Sequence, residues 1–196
     1  MAAGAATSAP RVARAAEAGR PVRVRVVFSH SPADKITWPN IGYDYEARKA
    51  QMLEMLRAKC KGIEFLPVTV LDAEAGKRVL EQDSDVDGYL VDFSGMGAGA
   101  PTLVPLLAQA GRPTVITDNL FAGGGNFLGT NFAAHEQQWK VVGLATSNLD
   151  DIAAVVRCFD TLGAPGATVD AFFAKAEAVR KQRIPKPGDL TCVADP

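Results

Sequence analysis

The sequence predicts an α/β domain built on a parallel sheet covered on both faces, and three observations carry that prediction. From Val22 onward, short β-branched or apolar runs alternate with helical patterns at a repeat of roughly 25 to 30 residues, the rhythm of βαβ units. The runs at 88–93, 113–117 and 141–145 are almost unbroken in apolar character, as strands buried on both faces must be. The intervening helical patterns are amphipathic, with one stripe for a sheet and one for water. Together they imply a doubly wound, five-stranded parallel sheet in a three-layer αβα arrangement of flavodoxin-like or Rossmann-like kind.

The first strand is expected at 22–28 (VRVRVVF), where Arg23 and Arg25 alternate with valines, and the second at 63–68 (IEFLPV). The remaining three are GYLVDF at 88–93, PTVIT at 113–117 and VVGLA at 141–145. A helix over 44–61 places Tyr45, Met52, Leu53, Leu56 and Cys60 on one stripe, with Glu46, Arg48, Lys49 and Arg57 mostly outward. A thinner stripe of Ala73, Val79 and Leu80 marks a helix over 72–82; another over 101–110 has Pro101 in its first turn and ends at Gly111. After the fifth strand, Ser147 or Asn148 caps a helix with Asp150 and Asp151 in its first turn and Ile152, Val155, Val156, Phe159 and Leu162 inward. The last helix, over 168–183, turns Phe172, Phe173, Ala176 and Val179 inward and ends on Arg180, Lys181 and Arg183.

At 196 residues the chain holds one domain over 21–184 with tails, and no second full domain. Residues 1–20 are Ala-rich and contain Ala13-Arg14-Ala15, a small-x-small step like the end of an export signal; the alternative is a disordered Ala-rich tail. The compartment is therefore either cytoplasmic or exported. Pro185-Lys186-Pro187-Gly188 breaks the pattern, and DLTCVADP at 189–196 looks like a strand opening a missing second domain. A net charge of -1, with Lys and Arg scattered among acids, gives nucleic acid nothing to grip. No apolar run reaches the length of a membrane span. Three widely spaced cysteines without a CxxC pair predict neither a disulfide framework nor a zinc site; Cys60 and Cys158 read as small core residues.

In an open parallel sheet, ligands bind at the carboxyl ends of the strands, where loops and helix N-termini converge. That rule selects Ser29 and His30 with the long loop holding Asp34, Lys35, Trp38, Asn40 and Tyr43, then Asp92 and Ser94. It also selects Asp118, Asn119 and the Gly123-Gly124-Gly125 stretch, then Ser147 and Asn148. Polar groups beside aromatic planes suit a sugar, and the substrate contacts expected are His30, Trp38, Tyr43, Asp92, Asp118 and Asn119. For Trp38, the plain alternative is a lid folded over the sheet edge.

Gly95-Met96-Gly97-Ala98-Gly99-Ala100 formally fits a dinucleotide fingerprint, with Asp118 about 20 residues further on, and keeps a nucleotide-binding domain as an alternative. Against it, the motif follows the third strand, and Pro101 lacks the N–H that a pyrophosphate needs. His135-Glu136 lies in a helical stretch beside Gln137 and Gln138 on a solvated face, which speaks against a metal or catalytic role. Asp85 and Asp87 precede the third strand, away from the expected site, and read as a turn. No nucleophile elbow, Ser-His-Asp set or Walker loop is present, and no catalytic residue is assigned.

The chain resembles the N-terminal domain of the L-fucose/L-arabinose isomerase-like family. The segments concerned are Ser29-His30-Ser31-Pro32-Ala33-Asp34, Trp38-Pro39, Gly42-Tyr43-Asp44-Tyr45-Glu46-Ala47-Arg48 and Val86-Asp87-Gly88-Tyr89-Leu90-Val91. They continue with Arg112-Pro113-Thr114-Val115, Asp118-Asn119-Leu120, Gly123-Gly124-Gly125-Asn126-Phe127-Leu128 and Val141-Val142-Gly143, so the likeness covers 22–184. The resemblance implies an aldose-ketose isomerase whose manganese ion is held by carboxylates and a histidine of later domains. This chain would then bind no metal and would supply sugar contacts and homo-oligomer assembly. A stand-alone sugar- or polyol-binding module is the alternative from the residues themselves.

Overall fold

In the computed structural model, which describes residues 20–32 and 42–183, one sheet contains β1 (Val22–Ser29), β2 (Ile63–Val70), β3 (Gly88–Asp92), β4 (Thr114–Asp118) and β5 (Val141–Ala145). Every pairing is parallel, and the order is β2-β1-β3-β4-β5. All residues of β3 and β4 are buried, which is why those stretches carry no alternation. The edge strand β2 buries only Phe65 and Val70 and leaves its other residues partly or fully exposed.

Helices cover both faces. On one lie α1 (Tyr45–Lys59), α5 (Leu149–Val156) and α6 (Val169–Arg183), which share a core with Val24, Val26, Leu90, Val115 and Val142. On the other lie α2 (Ala73–Gln82), α3 (Gly99–Gln109) and α4 (Gly124–Glu136), packed on Val27, Val91 and Ile116. The fold is a three-layer, doubly wound α/β domain. Successive residues of each central strand point to opposite cores, the period of two that a twice-covered sheet requires.

Local chemistry sets the helix starts. Asp44 accepts from the Ala47 N–H at 2.9 Å, Asp72 from the Ala75 N–H at 2.7 Å, and Asn148 from the Asp150 N–H at 3.0 Å. Each side chain satisfies a donor the first helical turn leaves open. Of the two caps expected for α5, Asn148 is the one used. The α5 stripe continues through a 3-10 stretch, Arg157–Gly163, whose Phe159 stacks on Phe172 of α6 at 4.6 Å. Room for that ring comes from Gly88: a Cβ there would lie 2.4 Å from Phe159 Cε1.

Three details differ from the sequence expectation. Helix α3 starts at Gly99, so Pro101 remains in the first turn but two residues further in. The Gly123–Gly125 stretch, expected as loop, opens α4. Lys49, expected outward, is buried, with its ammonium group donating to Glu46 at 2.5 Å and to Thr69 Oγ1 at 2.9 Å. The expectations for the Ala-rich start, for Trp38 with 33–41, and for 185–196 lie outside the described residues.

Candidate functional site

The chain leaves β1 for β2 on one side and returns to β3 on the other, so the strand order reverses between β1 and β3. Crossover helices α1 and α2 cover opposite faces there, and the carboxyl ends of the strands at such a reversal are where open α/β sheets place their ligands. Phe28 is in register with Asp92, and Asp92 with Thr117, which aligns the ends of β1, β3 and β4 beneath the first turns of α1.

Asp92 is the centre of this rim. It is fully enclosed, and its two carboxylate oxygens accept from different neighbours: Ser94 Oγ donates to Oδ2, and Asn119 Nδ2 donates to Oδ1. The other end of that amide, Asn119 Oδ1, accepts from Arg48 Nε at 2.9 Å and from Arg48 Nη2 at 2.7 Å, while Arg48 Nη1 donates to Gln51 at 2.6 Å. The result is one relay, Ser94–Asp92–Asn119–Arg48, with an amide inserted between the acid and the base. Burial pushes the Asp92 carboxyl up to about 7, against the pull of its Ser94 and Asn119 hydrogen bonds and of the more distant Arg48 charge. Thr117 lies beside it with its hydroxyl buried and without a hydrogen-bond partner.

An aromatic wall stands next to the relay. The His30 imidazole stacks on Tyr45 at 4.0 Å with 1° between the planes, and Tyr43 meets Tyr45 edge-on at 5.2 Å. His30 Nδ1 lies 2.7 Å from the Ser31 carbonyl, while its buried Nε2 has no hydrogen-bond partner among the described residues. Burial holds this imidazole below its ordinary pKa. Gly95, directly after Ser94, joins wall to relay, since a Cβ there would sit 2.9 Å from the Tyr45 hydroxyl and 3.1 Å from His30 Cβ.

Of the expected contacts, His30, Tyr43, Asp92 and Asn119 come together at this rim. Asp118 is buried close by, but its carboxylate accepts from the Phe121 N–H at 2.7 Å and so closes the turn before α4. Trp38 lies outside the described residues. Arg48, Tyr45 and Thr117 were missed as site residues. Arg48 and Lys49 stand three and four residues after Tyr45, hence on the same helical stripe as Met52 and Leu56, and that spacing was the available signal.

The glycine fingerprint has an internal explanation. A Cβ at Gly97 would lie 2.8 Å from the His30 carbonyl carbon, and one at Gly99 would lie 2.6 Å from Val70 Cγ2. The Ala100 N–H at the start of α3 already donates to Ser29 Oγ at 3.0 Å. These glycines let chain approach chain, and little of that helix start remains for a phosphate.

The rim does not fit a manganese ion. Asp92 is committed to Ser94 and Asn119 and Asp118 to its turn, and among the described residues no three His, Cys, Asp or Glu side chains converge as ligands. A separate cavity of about 350 Å³ between α5 and α6 has its Lys175 and Arg183 paired with Asp160 and Asp151. Comparison with protein-family models, with curated proteins and with solved structures finds no match for this chain.

Proposed function

We propose that this chain is a sugar- or polyol-binding domain of an isomerase-like protein, holding a small polyhydroxylated ligand at the β1/β3 rim and contributing contacts rather than bond-making. The observation behind this reading is that both charges of the relay end on neutral partners. Among the described residues, Arg48 bonds to the amide oxygens of Asn119 and Gln51, and Asp92 to a hydroxyl and an amide. Asn119 and Gln51 fix the Arg48 guanidinium without neutralising its charge, and charge-assisted hydrogen bonds from it to a ligand hydroxyl are the stronger kind. A guanidinium has five N–H donors, and Arg48 uses three of them. Vicinal hydroxyls, each donor and acceptor at once, match such an array. Tyr43, partly exposed and held edge-on by the buried Tyr45, offers an apolar plane to the C–H face of a ring.

Nucleotide binding is the weaker reading, because the glycines of the fingerprint are engaged with His30 and Val70 and Ser29 occupies the Ala100 N–H in the first turn of α3. Calorimetric titration with a panel of pentoses, deoxyhexoses and polyols tests the proposal. At least one of them is expected to bind, and Asn119→Ala to abolish the heat. No heat from any of them at millimolar ligand would remove it.

A further inference from the structure

Helix α4 carries apolar side chains on two faces. Phe127 and Ala134 pack into the core with Thr130 buried between them, Asn126 donates to the Gly97 carbonyl at 3.1 Å, and the Asn131 amide occupies the space beside Gly143. A second apolar set faces outward, with Leu128 65% and Phe132 67% exposed, alongside Phe121 at 59% before the helix and Met96 at 49% against Gly125. Phe121 holds a left-handed φ of 56°, a conformation that costs a non-glycine residue and here accompanies an exposed ring. From 119 to 134 the sequence contains no ionisable residue. A solvated helix does not distribute its residues this way.

We infer that a second copy of this chain covers this face, α4 packing on α4 across a two-fold axis with Leu128 and Phe132 of each copy over Gly125 and Gly129 of the other. Leu128 and Phe132 are four residues apart and form a ridge; Gly125 and Gly129, also four apart, form the adjoining groove. A ridge and a groove on one helix are self-complementary, the condition for an isologous contact. With no charge on the face, there is nothing for a charged partner to read. The four exposed side chains present roughly 450 Å², more than half of the ~800 Å² that each partner of a standard interface contributes. The described chain also leaves this face free: α6 ends at Arg183 on the opposite side of the sheet, and Arg20 is held by Asp87 at the far end of the strands.

Sedimentation velocity of the 196-residue chain across micromolar concentrations tests this. A reversible dimer is expected, and Leu128→Asp combined with Phe132→Asp should weaken self-association by about a hundredfold while leaving the circular dichroism spectrum unchanged. Gly129→Leu keeps the test decisive should the double variant unfold: a Cβ at Gly129 meets nothing within 4 Å in its own chain, so the fold persists while the groove is filled. A wild-type chain that stays monomeric throughout, or dimers of unchanged affinity in the folded variants, would overturn the inference.

Discussion

The two ends of the sheet treat charge in opposite ways. At the amino ends of the strands, Arg20 grips Asp87 through two hydrogen bonds, Arg23 pairs with Glu64 and Asp85, and Arg25 with the buried Asp83. Arg20, Arg23 and Arg25 each meet a carboxylate there, while Arg112 donates to the Val86 carbonyl, and the Asp83 contact holds the Arg25 pKa above its ordinary value. At the carboxyl ends, Arg48 and Asp92 are separated by the amide of Asn119, His30 leaves Nε2 without a partner, and Thr117 leaves its hydroxyl so. Among the described residues, the buried Tyr89 hydroxyl at the amino ends also lacks a partner, but it stands alone among closed ion pairs; at the carboxyl ends a charge left on neutral partners and two polar atoms left without one lie together, where a ligand has something to gain.

The largest expected effect lies at the closed end. Asp83→Ala leaves Arg25 partly buried without its carboxylate and should cost about 3 kcal/mol in denaturant unfolding, with sugar binding unchanged. A loss of binding without a loss of stability would erase the distinction between the two ends. Asp92→Asn comes next and should act in the other direction. Because the folded pKa of Asp92 is raised to about 7, the folded state holds the proton more tightly than the unfolded state does. The stability this provides is present in acid and is lost as pH rises from near 4 to 7. The asparagine variant should lack that falling limb and gain about 2 kcal/mol over wild type above pH 7.

His30 sharpens the same measurement, since its folded pKa is depressed and its sign is opposite. Its contribution is present above pH 6.5 and is lost as pH falls through its folded value, so His30→Phe should flatten the acid side of the curve. Smallest in stability is Arg48→Met, at about 0.5 kcal/mol, because a half-exposed guanidinium on neutral acceptors contributes little to folding. The same change should weaken sugar binding about tenfold, read by calorimetry.

Much of this fold was legible because strands buried on both faces leave unbroken apolar runs, and 88–93, 113–117 and 141–145 are such runs. The caps Asp44 and Asp72 follow from one local rule, a carboxylate accepting the N–H three residues on, and Asp118 with Phe121 obeys it too. Applied there, the rule would have marked Asp118 as a turn residue. Arg48 and Lys49 were assigned outward by residue type although their spacing from Tyr45 places them on the buried stripe. Helix α4 was hidden for a different reason: three opening glycines read as loop, and Leu128 and Phe132 on the side away from the core blur the stripe that Phe127 and Ala134 make toward it. Rim positions on the strands were readable from topology, whereas the relay joining them depends on which helix crosses above.

Amide spectra recorded during titration with a deoxyhexose or polyol bound by the wild-type chain test the central claim most directly. The account predicts shifts concentrated at Arg48, Ser94 and Asn119, with Arg25, Asp83 and Asp87 still. Shifts centred on the amino ends of the strands, or spread evenly over the sheet, would contradict it.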